Sequence, residues 1–259
     1  MFAKGRGAAG PAIGGPGPEQ AALRIREALE ILRRRSPRYY QAIRALDGRV
    51  YIEYDPTDRR LASPTGPLAL FRTRTGIAEA DPLVGRSFVA VLGARAIQWP
   101  AAELAGILVH ELVGHGRQYA QNRLQAMDHG DRECEARLHQ VRVFQDLGVT
   151  AGDGTVAAFR TSLEDVWCQS FASYLSDSWP GAHGLWAAAD LDAARLLAAF
   201  DTYRRYGPRI RRWGEGQWTA ASFDLVPGAQ RQEEDPVAPS LRGAKKLIAY
   251  ARLLLRNDR

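Results

Sequence analysis

The sequence predicts an α+β fold in which a small β-sheet comes before a mostly helical C-terminal half. Short runs rich in β-branched and aromatic residues are concentrated between residues 49 and 92, and apolar side chains at helical spacing dominate after residue 100. The length of 259 residues and the apolar content of 46% suit one large globular domain. No stretch approaches the roughly eighteen consecutive apolar residues that a transmembrane helix requires.

The N-terminal half contains the predicted sheet. Residues 1–18 are rich in Gly, Ala and Pro and are expected to form a flexible tail. Helical spacing of apolar residues predicts a helix over 20–35, and a shorter helix is expected to follow it and to end near residue 48. Runs of β-branched and aromatic residues predict three strands, over 49–54, 68–73 and 87–92. Residues 93–99 are expected to continue the last strand as a further extended piece.

The C-terminal half is predicted to be helical. Pro100 suits the first turn of a helix, so we expect a helix to begin there. Periodic apolar residues predict four helices, over 101–123, 131–147, 156–176 and 185–206. A linker over 224–239 and a basic amphipathic helix over 241–255 are expected to follow. The predicted organisation is a tail (1–18), one domain (19–225) and a linker with a basic helix (226–259).

The positive charge of the chain is clustered. The net charge is +6, and arginine-rich stretches such as 33–35 and 209–212 carry much of the excess. No zinc knuckle, aromatic RNA-binding motif or glycine-rich phosphate loop accompanies these clusters, so we predict solvated basic faces and no nucleic-acid partner. Weak contact of the basic C-terminal helix with an anionic membrane surface is the alternative.

The cysteine content bears on the compartment. The two cysteines, Cys134 and Cys168, are too few for a disulfide framework. Cys134 is expected to be a buried structural residue and Cys168 to lie in the core. A reducing environment is the simplest interpretation, and it favours a cytoplasmic protein.

The main functional signal is the run Leu-Val-His-Glu-Leu-Val-Gly-His-Gly over residues 108–116. Two histidines one turn apart with an adjacent glutamate are typical of zinc peptidases, in which the imidazoles bind the metal and the glutamate is the base. Here His115 follows His110 by five residues instead of four, which in a regular helix turns it by about 140° and away from a shared metal. A π-bulge accommodates one extra residue, and Gly114 has no side chain to resist the distortion. The motif therefore predicts a metal site only if the helix is distorted near Gly114.

The segment His110-Glu111-Leu112-Val113-Gly114-His115 resembles the His-Glu-x-x-Gly-His motif of the dipeptidyl peptidase III family of zinc peptidases. The resemblance implies that His110 and His115 bind Zn²⁺ and that Glu111 is the catalytic base. It also implies a zincin-like layout, and by analogy we expect the run 87–99 to lie at the sheet edge above the cleft, where an extended peptide would pair with it. The resemblance covers this motif and a weaker downstream segment, so the substrate of that family is not carried over.

The downstream segment Asp131-Arg132-Glu133-Cys134-Glu135-Ala136-Arg137 is similar to the third-ligand helix of glutamate-zincins. There the ligand glutamate lies three residues before a small alanine, which implies Glu133 as the third zinc ligand. Glu135 is the alternative ligand, and it shares a helical face with His139. In many members the residue after the alanine is acidic and orients a zinc-bound histidine, but this chain has Arg137 there.

These residues predict a zinc-dependent hydrolase, most simply a metallopeptidase that acts on a peptide or protein substrate. Three protein ligands leave one zinc position for water, and Glu111 is placed to accept its proton. A further oxyanion donor is expected, and the candidates are Tyr119, His139, Tyr174 and His183. Two alternatives stay open: a non-catalytic zinc-binding module, and a basic helical adaptor for nucleic acid or a membrane surface in which the histidines are structural.

Overall fold

A computed structural model describes residues 15–73, 87–149, 163–178, 185 and 191–214 of the 259-residue chain. Within these ranges a three-stranded sheet is combined with a larger number of helices, which confirms the predicted α+β class. Most of the predicted tail, the start of the helix expected over 156–176, the linker and the basic C-terminal helix lie outside the described residues. No helix in the described ranges is long and apolar enough to span a membrane.

The two N-terminal helices form because their apolar residues fall on one face. Helix α1 (Pro18–Arg35) has proline in its first turn, and it buries Ala21, Ile25, Ala28, Leu29 and Leu32. Helix α2 (Pro37–Arg44) also begins with proline and buries Tyr39 and Ile43. Both helices contribute to the main hydrophobic core, which they share with the sheet.

The sheet has the order β1-β3-β2. Strand β1 (Arg49–Tyr54) runs parallel to the central β3 (Ser87–Leu92), and β2 (Ala69–Thr73) runs antiparallel to it. Every residue of β3 is buried, because the main core covers one face and Leu61 of the short helix α3 (Arg59–Ala62) packs on the other. The expectation that this strand forms the sheet edge above the cleft is therefore wrong, and β1 and β2 are the edges of the described sheet.

Residues 93–99 also differ from the prediction. They contain the short helix α4 (Ala94–Gln98), which begins after an extended Gly93, instead of an extended piece. Arg95 in this helix donates hydrogen bonds to the main-chain carbonyl groups of Pro64, Gly66 and Pro67. Contacts with a loop distant in sequence thus hold the segment, and periodicity over so few residues does not separate a helical turn from a strand.

The helix after Pro100 is continuous but changes its pitch. It consists of α5 (Ala101–Leu108), a first π segment (Val109–His115) and α6 (Gly116–Ala120). The flanking residues keep right-handed helical dihedral angles, so the chain passes through the π segment without a break. The predicted distortion near Gly114 is therefore present. We call the three parts together the central helix.

Helix α7 (His129–Leu147) belongs to two hydrophobic cores. Its C-terminal part packs into the main core with α1, α2, the sheet and the central helix. Its N-terminal part packs into a second core with a second π segment (Leu163–Trp167), α8 (Gln169–Ser178) and α9 (Ala193–Gly214). Because α7 lies between both cores, its position relative to the central helix is fixed from two sides.

A disulfide bond joins Cys134 on α7 to Cys168, which lies between the second π segment and α8. Both cysteines are buried, as predicted, but the sequence does not predict that they are bonded to each other. The bond closes a loop between residues 34 apart in sequence and holds the second π segment against α7.

The central helix and α7 approach each other most closely at glycines. A Cβ atom on Gly114 would lie 2.5 Å from the Cβ atom of Ala136, and one on Gly106 would overlap the ring of Phe144. The glycines and their partners follow opposite orders along the two helices, so the helices are antiparallel. Glycine at 114 is therefore required by the approach of α7, in addition to any tolerance of the π distortion.

We expect Gly114→Ala to lower the free energy of unfolding by about 1–3 kcal/mol, because the added methyl group overlaps Ala136 in a packed core. Gly116→Ala is the matched control, since its methyl group would lie 3.4 Å from the nearest Leu46 carbon. That variant is expected to be neutral or more stable by up to about 1 kcal/mol, because alanine favours the helix. Urea unfolding measures both, and equal stability of the two variants would contradict the packing argument.

Candidate metal centre

Three side chains with metal-binding atoms meet where the first π segment contacts α7. His110 and His115 come from the π segment and Glu133 from the second turn of α7. The Nε2 atom of His110 lies 3.6 Å from Oε2 of Glu133, and Nε2 of His115 lies 3.3 Å from Oε1. One ligand atom from each residue can be chosen so that all three lie within 4.8 Å of one another.

The separations fit a zinc ion of ordinary size. Ligand atoms about 2.0–2.2 Å from a tetrahedral ion are about 3.3–3.6 Å apart. Each histidine lies at such a distance from one oxygen of Glu133, and the two distances end at different oxygens of that carboxylate. Two imidazole nitrogens and one carboxylate oxygen are also a donor set that zinc accepts, with a fourth position left for water. The group therefore fits the predicted ion, and metal binding itself stays a prediction.

The π segment is what places both imidazoles on one side. In a regular helix the two rings would be about 140° apart around the axis. Here their centroids are 4.9 Å apart with an interplanar angle of 82°, and both residues are buried. The extra residue in the motif is absorbed by the wider π turn, so it does not separate the histidines.

Glu135, the alternative third ligand, lies outside this group. Its carboxylate forms two hydrogen-bonded contacts with the guanidinium of Arg123, at 2.7 and 2.9 Å. It also accepts a hydrogen bond from Nε2 of Gln118 at 3.0 Å. The geometry therefore favours Glu133 over Glu135 as the residue that meets the two histidines.

A hydrogen-bond chain orients His115. Nε2 of Gln118 donates to both Glu135 and the main-chain carbonyl of Arg132, so the amide oxygen of Gln118 must face the histidine. That oxygen lies 3.0 Å from Nδ1 of His115 and accepts its proton, which leaves Nε2 directed at Glu133. Metal-binding histidines are commonly held by such a partner on the other ring nitrogen.

His110 is held differently. Burial lowers its pKa to about 3, although Glu133 acts against this, so the ring is neutral at physiological pH as a metal ligand must be. Its Nδ1 atom is buried without a hydrogen bond of standard geometry. The side chain of Gln140, two turns along α7 from Glu133, is the neighbouring polar group that acts on this ring.

The ionisable side chains of the site shift one another's pKa values. Burial raises the pKa of Glu111 to about 7, against the opposing effect of His115, so this carboxyl can exchange a proton near neutral pH. Burial also opposes the charged forms of Glu133 and His115, but their mutual hydrogen bond and nearby charges prevail. The pKa of Glu133 is therefore held far below its usual range, and that of His115 rises to about 9.

Of the four oxyanion candidates, three lie within the described residues and have other partners. Tyr119 packs against the rings of Phe71 and Phe88. His139 forms a 3.1 Å contact through Nδ1 with the hydroxyl of Tyr39. The ring of Tyr174 packs against that of Tyr203 at an interplanar angle of 52°, and His183 is outside the described residues.

Sequence reasoning missed the part played by Gln118. Its position three residues after His115 places it on the same helical face, which was an available signal. The contact with Glu135, by contrast, depends on how α7 lies against the central helix. No family model, curated protein or solved structure matches this chain, so the resemblance remains local to the two motifs.

We expect metal binding to release about one proton at pH 7. His115 has a pKa of about 9 in the metal-free protein and is charged at pH 7, and it must lose this proton to become a ligand. The zinc affinity should therefore rise about tenfold per pH unit between pH 6 and 8. Calorimetry in buffers of different ionisation enthalpy measures the proton release, and a heat that is independent of the buffer would contradict it.

Gln118→Ala should weaken zinc binding by about 10–100-fold, because His115 loses the partner that fixes its ring. The exposed Gln41 on α2 provides a control, since Gln41→Ala removes the same group outside the hydrogen-bond chain to His115. Competition with a chelator of known affinity measures the difference. Equal affinity of both variants would show that the hydrogen-bond chain does not support the ligand.

Proposed function

We propose that the protein is a zinc-dependent metallopeptidase. The observation that carries the proposal is the meeting of His110, His115 and Glu133, whose possible ligand atoms lie within 4.8 Å of one another, with the buried Glu111 between the two histidines in sequence. A carboxyl with a pKa near neutrality, here Glu111, next to a possible metal site favours a hydrolytic active site.

In this proposal each residue has a defined part. His110, His115 and Glu133 hold the ion, which when bound supplies a Lewis acid that lowers the pKa of water and polarises a carbonyl group. Glu111 accepts the proton of the attacking water and gives it to the leaving amine. Burial raises the pKa of Glu111, which makes this carboxyl a better proton acceptor than an exposed glutamate.

The sheet supports a peptide as substrate. Strand β2 is an edge of the described sheet and runs antiparallel to β3. Phe71 of β2 lies with its ring centroid 6.3 Å from that of His115, so this edge is beside the candidate site. An extended peptide that paired with β2 would pass close to the ion. This assigns to β2 the part that the sequence had suggested for the strand at 87–99, within a zincin-like layout.

The disulfide between Cys134 and Cys168 is relevant to the cellular compartment of the protein. The cytoplasm was expected from the low cysteine content, but disulfides persist mainly in oxidising environments. The bond between Cys134 and Cys168 therefore favours an oxidising compartment for the folded protein. Cys134 directly follows Glu133, so the disulfide also stabilises the part of α7 that carries the proposed third zinc ligand.

Glu111→Gln is expected to lower peptide cleavage by about 10²–10⁴-fold, because the amide cannot accept a proton. Zinc content should stay near one equivalent, since Glu111 is not among the three ligands. Mass spectrometry of a peptide library and elemental analysis measure the two quantities. Glu19→Gln at the exposed start of α1 is the control.

Three outcomes of that experiment separate the candidate functions. Cleavage by the Glu111→Gln protein at the wild-type rate would contradict the role of the base. Zinc without cleavage in the wild type would favour a non-catalytic zinc-binding module. Absence of zinc after metal-replete purification, or zinc that is retained in His115→Ala, would contradict the metal centre itself.

A further inference from the structure

Arg137 places a positive charge directly at the candidate metal centre. It lies one turn after Glu133 on α7, and its Nη2 atom is 3.3 Å from Oε2 of that carboxylate. The side chain is 20% exposed, so it is largely buried and accessible in part. A cation beside a cation-binding group opposes metal binding by Coulomb repulsion, so the ion pair of Arg137 with Glu133 is unfavourable for the metal site itself.

The guanidinium has a second contact, with Trp167. Its central carbon lies 4.1 Å from the ring centroid of Trp167, which is the geometry of a cation–π contact. Trp167 is the last residue of the second π segment, and the next residue, Cys168, is bonded to Cys134 on α7. The disulfide, the tryptophan and the ion pair thus fix one planar group between Trp167 and Glu133.

We propose that Arg137 is a catalytic residue that donates hydrogen bonds to the oxyanion formed at the scissile carbonyl. The proposal rests on the proposed metallopeptidase function. Attack by water forms a C–O bond, the proton goes to Glu111, and the carbonyl electron pair moves to oxygen as a negative charge that Arg137 faces. When the C–N bond breaks, the electron pair returns to the carbonyl and Glu111 protonates the amine.

The charge balance of the site supports this role. With two neutral imidazoles and both Glu111 and Glu133 ionised, the two negative charges balance one divalent ion. Arg137 then makes the site net positive, and a net positive site binds an anion more strongly than the neutral substrate from which it forms. A rigid fork of N–H donors also suits a tetrahedral oxyanion better than a lysine ammonium does.

The competing role for Arg137 is to position Glu133, and the two roles predict opposite effects on metal binding. If Arg137 only orients Glu133, then removal of the guanidinium should weaken the metal site. If it serves an oxyanion, its removal should leave metal affinity unchanged or higher, because a repelling charge is lost. Oxyanion affinity should then fall while the ion stays bound.

The test uses the full-length protein loaded with Co²⁺, whose visible spectrum reports ligands that enter the metal site. Methylphosphonate is the tetrahedral oxyanion probe, and imidazole is the neutral probe. We expect Arg137→Ala to bind methylphosphonate about 10–100-fold more weakly, the loss of one charge-assisted contact, with imidazole affinity unchanged. Trp167→Leu should cause a smaller loss of methylphosphonate affinity alone.

Two further variants complete the comparison. Arg142→Ala is the matched control, because Arg142 is on the same helix and pairs with Asp146, which keeps Arg38 and Ser36 as partners. Arg137→Lys keeps the charge without the planar fork and should lie between wild type and Arg137→Ala. If Arg137→Ala fails to fold, the lysine variant carries the same test, with a several-fold loss expected for methylphosphonate only.

The possible results of this experiment test the oxyanion role, the peptidase function and the metal centre separately. Methylphosphonate affinity within twofold of wild type would overturn the proposal, as would a parallel fall for both probes or a weaker affinity for Co²⁺. A selective loss in a protein that cleaves no peptide would support the oxyanion site and contradict peptide hydrolysis alone. Failure of the wild type to bind Co²⁺ would overturn the metal centre and this proposal with it.

Discussion

The close approach of α7 to the first π segment at Gly114 and Ala136 is the contact on which the candidate site depends. Without a Cβ atom at 114 the two helices can come near enough for Glu133, three residues before Ala136, to reach both histidines. The π turn rotates the histidines to one side, and the helix approach supplies the third group from the other chain segment. Neither feature alone would bring the three side chains together. The candidate site therefore depends on the absence of a side chain at Gly114.

The buried charges around this contact form one connected system. The pairs Arg123–Glu135 and Arg137–Glu133 both lie on or against α7, and Gln118 connects the first pair to His115. Buried charges are costly unless they are paired, and truncation of one partner leaves the other exposed to that cost. The paired charges therefore stabilise one another, and each charged residue contributes both to the fold and to the electrostatics of the candidate metal centre.

Much of the fold and part of the candidate site can be predicted from the sequence. The strands at 49–54 and 87–92 have the predicted bounds, and the π distortion was predicted from the spacing of His110 and His115 together with Gly114. The edge position of the third strand and the extended form of 93–99 were wrong, because strand order and short helices depend on contacts distant in sequence. The roles now given to Gln118 and Arg137 also needed those contacts, since a polar residue on a helix has no assigned partner until the neighbouring helix is placed.

The sequence by itself determined the α+β class, the helix with its extra residue and the two acidic candidates on either side of Cys134, because these follow from periodicity and spacing along one chain segment. The tertiary structure decided that Glu133 faces the histidines while Glu135 pairs with Arg123, that the two cysteines are bonded, and that Trp167 stacks on Arg137. The physical reason is that helical spacing defines which residues share a face, whereas packing defines what that face meets.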